Sequence, residues 1–289
     1  METATDPKTA PGTGPIDAHH HLWNYDAVRD AWITEEMGVI RRDFTAEELF
    51  GVLTENGVSG SVVVQADTSE EETAFLVDIA GRHDFIKGVV GWVDLSDERV
   101  EERLAFYRRT APQVKGFRHI VQAEPDRFLD GEAFRRGVSR LRGYGYTYDI
   151  LVYPRQLEAT LRFVDRFADQ PFVLDHLAKP DIKGGKMAPW EGLIRELATR
   201  PNVYCKVSGM ITEADWAGWT GRDLTPYLDV VFEAFGTGRL MFGSDWPVCL
   251  VAGDYRRVKG AVTGYLEAFP AAERQAVMSG NAARFYGLH

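Results

Sequence analysis

Short apolar runs alternate with longer amphipathic stretches along the chain from Ile16 onward. The runs are rich in β-branched and aromatic residues, as buried strands are, and the stretches between them carry apolar residues at helical spacing. The mean interval between run starts is close to the roughly 30 residues of a strand-helix-strand unit. Eight runs occur, and they begin at Ile16, Ser61, Phe85, Val114, Tyr146, Pro171, Val203 and Leu240.

Helix signals lie between the runs. Thr45 with Glu48, and Ser69 with Glu72, match the capping box, in which a hydroxyl and a carboxylate satisfy the free amides of a first helical turn. The stretch RQLEATLRFVDRFADQ after Tyr153 has an apolar stripe, and LTPYLDVVFEAF has a similar one. The segment AAERQAVMSGNAARFYGL is predicted to supply a last helix.

This alternation predicts an α/β fold, a single (β/α)8 TIM barrel, because parallel strands joined by helices close naturally at eight units. An open, doubly wound sheet is the alternative. It is less favoured because HHHLWNY, and not a glycine-rich phosphate turn, follows the first run. We expect residues 16–289 to form one barrel domain and residues 1–15 a disordered tail, since the tail holds little apolar surface to bury.

Composition narrows the functional classes. The chain of 289 residues has 43 acidic and 33 basic residues, a formal charge of -10, which disfavours nucleic acid and anionic membranes as partners. No signal peptide or membrane span is evident. Two cysteines, Cys205 and Cys249, provide no disulfide framework, which fits a reducing cytoplasm. We therefore expect a cytoplasmic enzyme with a small-molecule substrate; a homo-oligomer is compatible with the sequence.

Histidines and an aspartate at strand ends are the main candidates for chemistry. Strand alternation puts His19 and His21 together in the barrel mouth and sends His20 to the opposite face. Two converging imidazoles suit chelation or polarisation of a carbonyl, and hydrogen-bonded structural histidines are the alternative. Asp245 ends the last run at the same rim, where it could also cap the next helix.

Two further polar side chains belong to this rim. His176 ends the sixth run, and the preceding Asp175 is expected to face outward. Arg118 in the fourth run presents a guanidinium that could bind a carbonyl, hydroxyls or a carboxylate, unless it forms a salt bridge with Asp245 or another acid.

Substrate contacts are expected from rim residues with aromatic or hydrogen-bonding side chains. Aromatic faces can stack on a ring, although filling core space is their commoner use. Residues 22–43 are predicted to form a lid, a rim loop or a subunit contact. The candidates are Trp23, Trp32, Trp216, Trp219, Trp246, Tyr153, Lys206 and Ser208.

The segments IDAHHHLW, KGFRHIVQ, LDHLAKP, CKVSG, FGSDWPV and GNAARFYGL together resemble the amidohydrolase superfamily. The resemblance covers nearly all of the chain after residue 15. It is strongest to the amidohydrolase-2 branch of lactone hydrolases, which includes sugar-acid lactonases and 2-pyrone-4,6-dicarboxylate lactonase. It implies that His19 and His21 are the first-strand pair, His176 the sixth-strand histidine and Asp245 the eighth-strand aspartate.

The chain departs from the binuclear members of that superfamily. Arg118 stands near the place of their bridging lysine or glutamate, and Tyr153 near that of a fifth-strand histidine. The resemblance therefore implies one divalent ion such as Zn²⁺, bound by His19, His21, His176 and Asp245, or catalysis without metal, and both remain open.

The function implied is hydrolysis of a small lactone, in particular an L-fucono- or L-rhamnono-type sugar-acid lactone. Asp245 is expected to act as general base and then acid, with Arg118 and the histidines stabilising the oxyanion. Arg118 is the only arginine placed within a rim strand, which favours a neutral polyol over a pyrone diacid. A metal-dependent nonoxidative decarboxylase of an aromatic acid and a noncatalytic carbohydrate-binding barrel are the alternatives.

Overall fold

A computed structural model describes residues 14–288 and confirms the predicted barrel. Eight parallel strands follow one another in chain order. The last strand returns to the first, since the amide of Asp245 donates to the carbonyl of His19 (2.8 Å) and that of His21 to the carbonyl of Trp246 (2.7 Å). The strands are β1 (Ile16–His20), β2 (Gly60–Val64), β3 (Ile86–Gly91), β4 (Val114–His119), β5 (Thr147–Ile150), β6 (Phe172–Leu174), β7 (Val203–Val207) and β8 (Leu240–Phe242).

Helices follow the strands and surround them. Thr45 and Ser69 cap two of them, with Oγ accepting from the amides of Glu48 (3.4 Å) and Glu72 (3.2 Å). Only this half of each predicted capping box forms, because the Glu48 carboxylate pairs with Arg42 and that of Glu72 accepts from the amides of Ala66 and Asp67. The predicted last helix is two helices joined by a π-helical turn at Ala276–Gly280. The helices are α1 (Ala46–Glu55), α2 (Glu70–Arg82), α3 (Val100–Thr110), α4 (Glu132–Leu141), α5 (Leu157–Val164), α6 (Trp190–Ala198), α7 (Gly221–Phe235), α8 (Tyr255–Leu266), α9 (Ala271–Gln275) and α10 (Asn281–Tyr286).

Two apolar layers hold the barrel together, because strand side chains alternate between the interior and the helices. The larger layer joins the outer strand faces to the helices. The smaller layer fills the barrel with residues such as Val62, Val90 and Met241, and α10 packs onto it through Ala282 and Tyr286. The buried polar side chains therefore lie above a packed floor.

A β-bulge in β1 sets the direction of the histidine side chains at the end of that strand. Asp17 pairs with Ser61 but His20 pairs with Val63, so β1 carries one extra residue over that interval. A bulge shifts the alternation by one position and often re-aims a side chain beside an active site. After it, His19 and His21 share one face, and His20 lies on the other, with Nε2 3.0 Å from Ser61 Oγ.

The remaining expectations concern the chain ends and the cysteines. Most of the expected tail, residues 1–15, lies outside the described residues. Of its last two residues, Gly14 accepts a hydrogen bond from Ser279 Oγ and Pro15 accepts one from the Ser59 amide. Cys205 and Cys249 are buried free thiols. Within residues 14–288, no helix combines the length and the apolar character needed to cross a bilayer.

Candidate active site

His19 and His21 meet at the end of β1. Their Nε2 atoms are 3.2 Å apart, and both side chains are almost completely buried. His21 Nδ1 lies 2.7 Å from the carbonyl oxygen of Val64, so Nδ1 carries the proton and donates it. In the neutral ring, the lone pair of His21 is therefore on Nε2 and faces the centre of the site. Such a backbone contact is how proteins fix the orientation of a metal-binding or catalytic imidazole.

His176 joins this pair through an irregular end of β6. Residues His176 to Lys179 all have positive φ, from 52° to 58°, which turns the chain sharply. The His176 ring lies 4.4 Å from that of His19 between centroids, and its Nδ1 is 2.9 Å from Ser208 Oγ. Gly209 backs the ring: a Cβ there would lie 2.5 Å from His176 Nδ1. The loop after β7 thus holds His176 by a hydrogen bond and by close packing.

Asp245 faces the three imidazoles from the end of β8. Its Oδ1 lies 3.3 Å from His21 Nε2 and 3.9 Å from the Nε2 atoms of both His19 and His176. A positive φ of 58° aims the side chain inward. Burial raises the pKa of Asp245, but His176, His21 and Lys179 outweigh it, so the pKa lies below its usual range. Asp245 is therefore a carboxylate at neutral pH.

The same burial acts oppositely on the imidazoles. It lowers the pKa of His19 well below its usual value, and Lys206, His21 and Arg118 lower it further. Burial also lowers the pKa of His176 well below its usual value, against the raising effect of Asp245. Desolvation disfavours a charged ring, so both rings are neutral at pH 7. Neutral imidazoles beside a carboxylate can bind a cation or accept a proton.

The expectation that Asp175 faces outward is wrong. Val173 points into the barrel and Leu174 points outward, so alternation brings Asp175 inward again. Its Oδ1 is 3.0 Å from Lys206 Nζ and 3.3 Å from His19 Nδ1, and its Oδ2 accepts from Arg118 (3.0 Å). His176 also points inward, because the left-handed turn begins at that residue. Alternation counted back from His176 gives the opposite direction, because β6 ends at Leu174, before that histidine.

Arg118 lies at the end of β4, as predicted, and lines the cavity. Its ion pair is with Asp175 and not with Asp245. The guanidinium also donates to Gln65 Oε1 from Nε (3.2 Å) and NH2 (2.9 Å), and from NH2 to the Gln65 carbonyl oxygen. NH1 is 3.4 Å from His19 Nε2. Arg118 is thus held rigidly beside the histidine pair.

Four residues predicted to contact substrate lie outside the cavity wall. Lys206 is fully buried behind His19 and joins Asp149 (2.5 Å) to Asp175. Trp23 and Trp246 pack against Phe44 in the core, where an aromatic ring gains more from burial than at a wet rim. Tyr153 lies beside Lys179, whose Nζ is 5.8 Å from the Tyr153 ring centre. Lys206 supports the site from behind, with Nζ 3.1 Å from His19 Nδ1.

The cavity has a volume of about 410 Å³, enough for a small molecule. Trp32, a rim candidate from the sequence, lines it, whereas sequence reasoning missed several other lining residues, chiefly Asp67, Trp92, His119 and Glu124. His119 could have been found, because it directly follows Arg118 at a strand end. Glu124 could not, because its position depends on the loop after β4. Trp216 and Trp219 do not line this cavity; their indole nitrogens donate to Thr212 and Ala252 carbonyls.

The donor atoms suit a divalent metal ion. Two overlapping triads have ligand atoms within 4.8 Å of one another, namely His19, His21 and Asp245, and His19, Asp175 and His176. Neutral imidazole nitrogens with a carboxylate oxygen are the ligands that Zn²⁺ prefers in catalytic sites. The set includes all four residues that the resemblance implied and adds Asp175.

Comparison with known proteins agrees with this geometry. The chain matches the model of the amidohydrolase family over residues 16–288. It is 42% identical to an L-fucono-1,5-lactonase of Burkholderia multivorans, with 94% of this chain and 96% of that protein covered. It is 36% identical to an L-fucono-1,5-lactonase of Burkholderia ambifaria, with 94% and 95% covered.

A crystal structure of an amidohydrolase from Burkholderia multivorans with bound zinc superposes with a TM-score of 0.92 at 42% identity. The alignment covers 95% of this chain and 99% of that one. With the family model spanning the whole barrel, the chain belongs to the amidohydrolase family.

Proposed function

We propose that the protein hydrolyses a neutral sugar-acid lactone, of the L-fucono or L-rhamnono type, to the open-chain hydroxy acid. The observation that carries this proposal is the ionised Asp245 facing three imidazoles and Arg118 on the cavity wall. This arrangement provides a base and hydrogen-bond donors around one position. The two L-fucono-1,5-lactonases at 42% and 36% identity support the choice of substrate class.

Asp245 is the general base in this proposal. A water beside its Oδ1 can donate one hydrogen bond to the carboxylate and another to His21 Nε2, since the Nδ1 proton of that ring is donated to the Val64 carbonyl oxygen. As the water oxygen bonds to the lactone carbonyl carbon, its proton passes to Asp245. A positioned base of this kind contributes about 10²–10⁴-fold to the rate.

Arg118 stabilises the oxyanion that develops on the carbonyl oxygen. Of its five N–H groups, Nε, both of NH2 and one of NH1 have acceptors among residues 14–288. The second N–H of NH1 has only a 3.4 Å contact with His19 Nε2 among the described residues, and in this proposal it donates to a substrate oxygen instead. Because Gln65 and Asp175 fix the guanidinium before substrate binds, little reorganisation accompanies the reaction.

Ring opening completes the cycle. The bond between the carbonyl carbon and the ring oxygen breaks, and protonated Asp245 gives its proton to the leaving alkoxide. The carboxylic acid product ionises and releases one proton to solution. Asp245 is thereby regenerated without a covalent intermediate.

A metal ion is compatible with the same residues. His19, His21, His176 and Asp245 would hold it, with Asp175 beside them. When bound, a divalent ion there would supply Lewis acidity toward the lactone carbonyl.

The test is proton release from L-fucono-1,5-lactone, followed with a pH indicator. Asp245→Asn keeps the side-chain shape but removes the base. We expect kcat to fall by at least about 100-fold, while KM changes little, because the carboxylate acts on the water. Turnover is measured before and after chelation, which shows whether an ion contributes.

Asp169→Asn makes the same chemical change at an exposed position and should leave turnover unchanged. Full activity in Asp245→Asn would exclude Asp245 as the base. If the wild-type protein releases no proton from any aldonolactone but forms carbon dioxide from an aromatic acid, a decarboxylase replaces the lactonase.

A further inference from the structure

A second hydrogen-bonded group lies on the cavity wall beside the catalytic cluster. It consists of Trp92, His119 and Glu124, which follow β3 and β4. Trp92 Nε1 donates to His119 Nδ1 (3.2 Å), and His119 Nε2 is 3.0 Å from Glu124 Oε1. The His119 ring stacks on Phe128, with centroids 4.8 Å apart and planes inclined by 10°.

The direction of these hydrogen bonds is fixed by chemistry. An indole N–H can only donate, so His119 Nδ1 is the acceptor and the proton of the neutral ring is on Nε2. His119 Nε2 therefore donates to Glu124 Oε1. Glu124 Oε2 makes no hydrogen bond to any side chain or backbone group of residues 14–288. The result is an oriented carboxylate with one oxygen available on the wall of the cavity.

The charges of the wall indicate what this oxygen accepts. Each wall cation already has an acidic partner: Arg118 pairs with Asp175 (3.0 Å), Lys179 with Glu213 (3.5 Å) and Arg29 with Asp30 (2.7 Å). By contrast, the wall carboxylates Asp67 and Glu124 have no lysine or arginine within salt-bridge distance in the described chain. Such a wall repels anionic substituents and favours hydroxyl donors.

We infer that Glu124, oriented by His119 and Trp92, selects the substrate by accepting a hydrogen bond from a ring or side-chain hydroxyl of the lactone. Glu124 is thus a specificity residue, remote from the bond that breaks. The inference rests on the proposed lactonase function. It predicts that hydroxylated neutral lactones react well, and that lactones without hydroxyls gain nothing from Glu124.

Glu124→Gln tests this assignment with two substrates. The amide can keep the contact with His119 but loses the charge, and a hydrogen bond to a neutral group is weaker than one to a charged group. We expect kcat/KM for L-fucono-1,5-lactone to fall about 10- to 100-fold, mainly through KM. Turnover of δ-valerolactone, which has the same ring without hydroxyls, should stay within about twofold of the wild type, since it never uses the contact.

Glu98→Gln is the matched control, because Glu98 is an exposed glutamate outside the cavity. It should leave kcat/KM for both lactones unchanged. Trp92→Phe removes the donor that fixes the His119 tautomer. It should give a smaller loss, again confined to the hydroxylated lactone. Equal losses on both lactones in Glu124→Gln, or no loss on either, would overturn the assignment.

A binding experiment separates this inference from the proposed reaction. The 1,5-lactam of the same sugar acid keeps the hydroxyls but resists hydrolysis, and its affinity is measured by calorimetry. Weaker lactam binding in Glu124→Gln supports the specificity role even if no lactone is turned over, in which case only the proposed reaction is wrong. Unchanged lactam binding, or no binding to the wild type, overturns the specificity role.

Discussion

At the scale of single residues, the buried charge of the site is organised around Asp175. Its carboxylate lies between Arg118 and Lys206 and contacts His19, and all four side chains are nearly inaccessible to solvent. Burial raises the pKa of Asp175, but Lys206 and Arg118 outweigh it and bring the pKa below its usual range. Asp175 is thus the acid that pairs with Arg118, and it shares Lys206 with the buried Asp149.

Replacing Asp175 with Asn should therefore destabilise the fold strongly. Removing one partner of a buried ion pair leaves the other charge uncompensated, here that of Arg118, at a cost of about 3–5 kcal/mol. Asp165→Asn makes the same change in a half-exposed pair with Arg200 and should cost less than about 1 kcal/mol. Urea unfolding at pH 7 measures both. Equal midpoints for the two variants would show that Asp175 does not balance the charge of Arg118.

At the scale of elements, the site is built where regular strands stop being regular. The bulge in β1 aims His19, the left-handed run after β6 aims His176, and a positive φ aims Asp245. Two of these side chains, His19 and His176, have a glycine beside them that gives them room. Gly243 leaves room for His19, whose Cβ would lie 2.7 Å from an added Cβ, and Gly209 leaves room for His176.

Gly209→Ala should reduce turnover by more than its loss of stability can explain. Both Gly209 (φ 62°) and Gly57 (φ 64°) are left-handed, a conformation that costs alanine about 1–2 kcal/mol. Only at Gly209 does the new methyl group meet His176, whereas Gly57 faces open space. Thermal unfolding should show that both variants lose stability, while lactone turnover falls only in Gly209→Ala. A fully active Gly209→Ala would contradict the role given to this packing.

These irregular strand ends also explain how much of the fold and of the site could be predicted from the sequence. Periodicity predicted the eight strands, the caps at Thr45 and Ser69, and the meeting of His19 with His21, since all of these follow from local pattern. Asp175 was misplaced because its direction was inferred from that of His176, and alternation does not extend past the end of β6 to that histidine. Trp23 and Trp246 were assigned to the rim because a tryptophan in a loop looks the same in sequence whether it is buried or exposed. Glu124 depends on a loop conformation that no spacing rule describes.

At the scale of the whole molecule, the candidate ligands come from strands distant in sequence, so a metal ion would bind the folded barrel far better than the unfolded chain. A ligand that binds only the folded state stabilises it by about 2.7 kcal/mol at a hundredfold excess over its Kd. We expect Zn²⁺ to raise the thermal midpoint of the wild type.

His21→Asn should abolish this zinc-induced rise, because it removes a ligand nitrogen from the cluster. His83→Asn, at a partly exposed histidine outside the cluster, should retain it. The rise is measured within each variant by calorimetry with and without zinc. An equal rise in both variants would assign the zinc effect to other sites.

Closure of the barrel joins the two ends of the chain. Asp17 accepts hydrogen bonds from the Ser244 amide (2.9 Å) and hydroxyl (2.5 Å), which lie 227 positions away, and from the Tyr255 hydroxyl (3.0 Å). Within the barrel, the histidine pair at the end of β1 is thus synthesised well before Asp245, which follows β8. A chain that ends before β8 would have all three imidazoles of the cluster, an open sheet edge and no general base. Catalytic activity in this protein therefore requires both the synthesis of β8 and the closure of the barrel.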